Sequence, residues 1–188
     1  VRVSKFSPSK SQRKSIRKNM DVQISLCSDP EEFVTDEKIQ LLKMYDSRHN
    51  PNSSKSEYEI YDELTWMNGI SGDRKKEYHG TYNMDYRVDG KLIGVGIVDR
   101  AEDSLSSNYF YYDTSDEILK RSIGVFSVIQ EIEACRGNLF NGELKSSFYY
   151  LGDYIAECDK MNYKIQYKPN ELLIDDEWIE SNDLLGEN

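Results

Sequence analysis

The stretch Tyr82-Asn83-Met84-Asp85-Tyr86-Arg87-Val88-Asp89-Gly90-Lys91-Leu92-Ile93-Gly94-Val95-Gly96-Ile97-Val98-Asp99 decides the fold. Its first half alternates, with Tyr82, Met84, Tyr86 and Val88 on one side. That period predicts a strand with one buried face ending the segment 79–88. Asp89-Gly90 then reads as a two-residue hairpin turn, because such turns need residues that tolerate positive φ. The return run from Leu92 to Val98 is almost wholly apolar, which predicts a strand buried on both faces. Gly94 and Gly96 remove side chains from it where another part of the chain must come close.

Working downstream, residues 105–113 read as a third strand and 118–136 as the longest helix. The helix carries Ile118, Ile123, Phe126, Ile129, Ile132 and Cys135 on one side and stops at Gly137. Residues 148–155 read as a central strand, 159–163 as a short helical turn and 164–168 as a last strand before Pro169. Upstream, 7–19 reads as a helix capped by Ser7 or Ser9, 22–27 as a strand, and 36–48 and 55–67 as helices. Gly69, Gly72 and Asp73 mark the loop before the hairpin. Helices, a three-strand meander, one long helix, a strand, a short helix and a last strand match an α/β fold of the acetyltransferase-like type. Such a fold has a mixed, mostly antiparallel sheet with a central splay, flanking helices, and substrates meeting in the gap. The expected division is a basic arm over 1–20, a transferase domain over 21–178 and an acidic flexible tail over 179–188.

The 188 residues, with a mean hydropathy of −0.73, suffice for one core plus an arm. No apolar run approaches the length of a membrane-spanning helix, so no membrane partner is expected. The chain opens on Val1 without an apolar signal segment, and is expected to be a trimmed or partial product working in the cytoplasm. The formal net charge is −10, yet Arg2, Lys5, Lys10, Arg13, Lys14, Arg17 and Lys18 fall within the first twenty residues with no acid among them. An acidic body repels polyanions at long range, while a concentrated basic arm can hold phosphates locally. Cys27, Cys135 and Cys158 are too scattered for a disulfide framework, and with His49 and His79 they show no metal-ligand spacing. No metal and no cofactor are expected.

Two stretches carry the chemistry. Arg121-Ser122-Ile123-Gly124-Val125-Phe126 resembles the Arg/Gln-x-x-Gly-x-Gly/Ala start of the phosphate-holding helix of acyl-CoA-dependent acetyltransferases. Phe126 stands at the small position, where its ring is expected to obstruct a pyrophosphate. The second stretch runs Tyr149-Tyr150-Leu151-Gly152-Asp153-Tyr154-Ile155-Ala156-Glu157-Cys158-Asp159-Lys160-Met161-Asn162-Tyr163-Lys164. It resembles the aminoacyl-tRNA–protein transferases, the bacterial leucyltransferases and the eukaryotic arginyltransferases, with their Tyr-Leu-Gly and Cys-x-Lys-Met-x-Tyr-Lys patterns. Asp85 to Ile93, Arg121 to Gly124, Arg48-His49 and the arm Phe6-x-Pro8-Ser9-Lys10-Ser11-Gln12-Arg13 add to the likeness, which spans about residues 1–178. Asp153 departs from it, standing where the family has an aromatic residue. The family also carries a Cys-bearing segment ahead of the arm.

The resemblance implies transfer of an amino acid from an aminoacyl-tRNA to the α-amine of acceptor proteins with N-terminal Asp or Glu, which marks them for degradation. Leu-tRNA is the expected donor and Arg-tRNA the alternative. The ester is already activated, so no covalent enzyme intermediate is needed, in keeping with the lack of a nucleophile triad. Tyr154 and Tyr163 are the catalytic candidates, as donors to the oxyanion. Arg87 is the first candidate for the acceptor carboxylate, followed by Arg48 and His49. Lys160 and Lys164 are assigned to substrate. Arg121, Ser122, Gly124 and Tyr150, with Lys10, Arg13, Lys14 and Arg17, are assigned to tRNA. Asp99 and Asp113 end two strands, where carboxylates usually serve as turn acceptors, and no general base is assigned. Two other readings stay open: a CoA-dependent N-acyltransferase, and a non-catalytic binder of acidic N-termini.

Overall fold

A computed structural model of the chain describes residues 1–52, 54–69 and 80–182. Asp89 and Gly90 adopt φ of 49° and 82°. Both are positive, as the tight turn requires, and they join β2 (Gly80–Val88) to β3 (Lys91–Arg100). β4 (Ser104–Tyr112) completes the meander, and β1 (Gln23–Cys27) pairs antiparallel with β2. A fifth strand, β5 (Phe148–Tyr150), lies parallel beside β4, giving the order β1-β2-β3-β4-β5. This is the mostly antiparallel acetyltransferase-like sheet that the element order predicts.

Each face of the sheet buries one core. On one face Met84, Tyr86, Ile93, Val98 and Leu105 meet Ile123, Phe126, Ile129 and Ile132 of α5 (Ile123–Cys135). On the other, Leu92, Val95, Ile97 and Tyr111 meet Leu41, Leu42, Ile60 and Leu64 of α2 (Asp36–His49) and α3 (Glu57–Met67). β3 serves both, which is why its sequence is apolar at successive positions. Its glycines do what their absence of side chain permits. A Cβ on Gly94 would stand 3.1 Å from the Phe110 ring, and one on Gly96 would stand 3.1 Å from Glu131 Oε1.

The basic helix α1 (Lys10–Lys18) starts in a capping box between Ser9 and Gln12. It has little apolar surface and is held to the rest by polar contacts. Ser15 Oγ donates to the Ser122 carbonyl at 3.0 Å, and Asn19 Nδ2 donates to the Arg121 carbonyl at 3.0 Å. The arm is therefore docked at the start of α5.

Three expectations are corrected. The long helix breaks into α4 (Asp116–Leu119) and α5, because Ser122 sits in the left-handed region at φ 58°, ψ 47° and turns the chain through a corner. The strand over 148–155 is neither central nor long: it pairs at three positions on the sheet edge and ends before Gly152, at φ 72°. Residues 164–168 are not a strand. A 3-10 turn over Asn162–Gln166 leads to Tyr167, which is buried against Phe6. A hairpin that the alternation did not reveal follows, β6 (Glu171–Ile174) with β7 (Glu177–Glu180). Asp175 and Asp176 make its turn at φ 49° and 65°. Gly72, Asp73, His79 and the tail from 183 lie outside the described residues. Among those described, no helix is long and apolar enough to cross a membrane.

Candidate active site

The sheet opens where β5 leaves β4. Pairing runs from Ser104 opposite Phe148 to Ser106 opposite Tyr150, and Ser107 is the first residue beyond it. At the same point β4 carries a bulge: Val98 faces Ser107 and Ile97 faces Tyr109, leaving Asn108 unpaired. The extra residue shifts the side-chain alternation. Leu105, Phe110 and Tyr112 contribute to the core beneath α5, while Tyr109 and Tyr111 contribute to the one beneath α2.

A cleft of about 590 Å³ occupies the opening. One wall is aromatic. Tyr45 stacks on His49 at 4.1 Å between ring centres and meets Tyr112 edge-on at 5.1 Å, while Phe110 stacks on Tyr112 at 5.5 Å. Gly124, Val125, Ser127 and Val128 of α5 form a second wall, and Leu151, Lys160, Tyr163 and Lys164 a third. The His49 ring is fixed by a contact from Nδ1 to the Tyr45 carbonyl at 2.9 Å. Lys164 Nζ donates to the Asp153 carbonyl at 2.8 Å. Burial lowers the Lys164 pKa and raises that of Tyr163. Among the described residues, the cleft lining has two lysines and no carboxylate, in a chain of net charge −10.

The expected site residues divide between places. His49, Lys160, Tyr163, Lys164 and Gly124 come together in the cleft. Tyr150 and Tyr154 do not join them. They line a separate, apolar groove of about 860 Å³ with Trp178, and the Tyr150 ring lies 5.7 Å from that indole. Leu151 and Lys164 line both spaces. Arg87 lines neither: Glu37 takes its guanidinium through two contacts, at 3.1 and 2.7 Å, and the Gly90 carbonyl takes a third. Arg48 is exposed at the end of α2, outside both spaces. Arg121 is bound to Asp21 at 2.7 Å, and Ser122 supplies the corner rather than a wall. Lys10, Arg13, Lys14 and Arg17 are exposed on α1, next to that corner.

Phe126 is placed differently from the expectation. Its ring points inward, buried against Tyr86 at 6.2 Å, and does not stand over the start of α5. A Cβ on Gly124 would meet nothing within 4 Å. Asp99 accepts from Thr81 and Asn108. Asp113 pairs with Lys91 at 2.6 Å and accepts from the Ser115 amide.

The sequence reading missed Glu131 and Ser107. Glu131 is 0% exposed beside Ser107, which lines the cleft, with Oε2 accepting from the Tyr149 hydroxyl at 2.6 Å and Oε1 unpartnered. Burial pushes its pKa up to about 7, against the opposing pull of the Tyr149 and Ser107 hydroxyls. The signal that could have found it is Gly96, which marked a close approach without saying to what.

Comparison with known proteins identifies the family. Residues 37–174 match the family described as arginine-tRNA-protein transferase, C terminus. An aspartate/glutamate leucyltransferase of Saccharophagus degradans is 30% identical over 184 residues, 95% of this chain and 69% of that one. One from Aeromonas hydrophila is 31% identical over 95% of this chain and 67% of its own length. Arginyl-tRNA--protein transferase 1 of Dictyostelium discoideum is 39% identical, over 56% of this chain and 16% of that one. Among solved structures, the C-terminal domain of a candidate lysylphosphatidylglycerol synthetase from Agrobacterium fabrum superposes with a TM-score of 0.50 at 12% identity, a likeness of fold alone. That match covers 88% of this chain and 47% of the other. A model match over most of the chain, together with leucyltransferases alike along nearly all of it, places this chain in the arginine-tRNA-protein transferase family, whose members are aminoacyltransferases.

Proposed function

We propose that the chain moves leucine from Leu-tRNA to the α-amine of proteins beginning with Asp or Glu, as a step that marks them for degradation. The observation that carries this is the charge of the cleft: Lys160 and Lys164 on one wall and no carboxylate among its described lining. An arginyl side chain would enter without a counter-ion, and desolvating an unpaired guanidinium is costly. A leucyl side chain instead meets Tyr109, Phe110, Tyr112, Val125 and Leu151. The same lysines suit the acceptor's side-chain carboxylate. Arg87, held by Glu37, is left out of that role.

The amine attacks the ester carbonyl, and the tetrahedral oxyanion needs a donor aimed at it. Tyr163, in the cleft, takes that part. Tyr150 and Tyr154 in the groove offer stacking surfaces for the unpaired 3′ nucleotides. Lys10, Arg13, Lys14 and Arg17 hold acceptor-stem phosphates, which fix position without reading sequence. Arg121, Ser122 and Gly124 form the corner over which the 3′ end passes.

Supplying the chain with labelled Leu-tRNA or Arg-tRNA and a peptide beginning with Asp or Ala tests the reading. Leucine should go to the Asp peptide. Preference for Arg-tRNA, or equal use of both peptides, would overturn it. A second reading, an acyl-CoA donor, gains from the inward Phe126 and the open space at Gly124. Micromolar CoA affinity by calorimetry would favour it.

A further inference from the structure

Glu131 has no cation beside it among the described residues. The other buried acids do: Asp85 pairs with Lys38 at 3.1 Å, Asp46 with Lys55 at 3.1 Å, and Asp113 with Lys91 at 2.6 Å. An unpaired carboxylate in a core is costly and persists only where the surroundings are built for it. Here they are. Gly96 of β3 withholds a side chain that would press on Oε1. Tyr149 of β5 donates to Oε2. Ser107 of β4 adjoins both the carboxylate and the Tyr149 hydroxyl, and also lines the cleft. The remaining titratable groups that face it are Tyr86 from β2, Cys135 from its own helix, and Tyr163 and Tyr167 from the segment after β5. All are neutral at pH 7, so burial, which favours the protonated carboxyl, is opposed by the Tyr149 and Ser107 hydroxyls and by no cation among the described residues.

We propose that Glu131 accepts, through the Ser107 hydroxyl, the proton that the acceptor's α-ammonium must lose before it attacks the aminoacyl ester. This rests on the transfer reading above. The ammonium gives one proton to Ser107 Oγ as the Ser107 proton passes to Glu131. The free amine then forms the C–N bond. A second proton leaves nitrogen for the ribose oxygen as the C–O bond breaks. Glu131 returns its proton to solvent by the same hydroxyl, so each turnover makes one amide, one ribose hydroxyl and one released proton. Ser107 is placed for this at the parting of the strands: the β4–β5 pairing ends at Ser106, and the bulge at Asn108 follows directly in the β3–β4 pairing.

The test compares the wild type with Glu131→Gln and Ser107→Ala, using Leu-tRNA and two nucleophiles. One is an Asp-initiated peptide, charged at its amine near pH 7. The other is methoxyamine, already neutral there. Each variant should lower kcat with the peptide by about 10²-fold at little change in KM, and should lose the wild type's rise in kcat through pH 7. With methoxyamine each should match the wild type, and Ser107→Thr should keep the wild-type rate with both. Full activity of Glu131→Gln on the peptide would overturn the proposal. So would an equal loss with both nucleophiles, the mark of a purely structural role. Failure of the wild type to transfer any amino acid would instead sink the transfer reading and this proposal with it.

Discussion

Replacing Glu131 by Gln should change how stability depends on pH, whatever the side chain does in the reaction. The folded carboxyl holds its proton up to about 7, whereas the ordinary value is 4.5. Between those values the native state binds more protons than the unfolded chain, so stability falls as pH rises through that window. The gap corresponds to about 3 kcal/mol at pH well above 7, and the group is fully buried, so solvent screening removes little of it. Gln cannot ionise. Relative to the wild type, the variant should therefore gain about 3 kcal/mol between pH 4.5 and 8.5, and other titrating groups cancel in the difference. Urea unfolding at several pH values measures this. Far-UV circular dichroism is the suitable signal, since Trp66 and Trp178 are 81% and 51% exposed and report little on the core. Parallel pH curves for the two proteins would refute the reasoning, because they would mean that the carboxyl is solvated or already paired.

Gly96→Ala should cost about 1–3 kcal/mol by crowding Glu131, seen as a lower Tm. Lys38→Met should cost about 3–5 kcal/mol at pH 7, because it strands Asp85, which Lys38 partners from inside the core; the loss should shrink as pH falls and Asp85, whose pKa burial already raises, takes up a proton. Reversing Lys14 and Arg17 to Glu should weaken tRNA binding alike for Leu-tRNA and Arg-tRNA, and should lower the slope of log affinity against log salt by about one for each phosphate no longer neutralised. Filter binding across a salt series checks it.

The hairpin at Asp89-Gly90, the doubly buried β3 and the capped helices were legible because each depends on neighbours within a few residues. The parting strand was not. Tyr149 to Ile155 have strand composition, but β5 keeps only Phe148–Tyr150, because pairing depends on a partner more than forty residues away, and it stops at Ser106. The same holds for Ser122: nothing local announces a left-handed corner in an apolar helical run. Phe126 occupied a motif position that suggested a ring in the binding loop, yet the rotation of α5 against the sheet turned it to Tyr86.

By itself the sequence determined the element order, the family resemblance in Tyr149 to Lys164, and the grouping of basic residues in the first twenty, since these are properties of the chain read in order. The tertiary structure alone decided which of those residues share a space. It put His49, Lys160, Tyr163 and Lys164 in one cleft, gave Arg87 to Glu37, and sent Tyr150 and Tyr154 to a neighbouring groove. It also set an unpaired Glu131 under Ser107 against a glycine. The physical reason is the same throughout: charge pairing and burial are settled between residues far apart in sequence, by how strands register and how a helix rotates on a sheet.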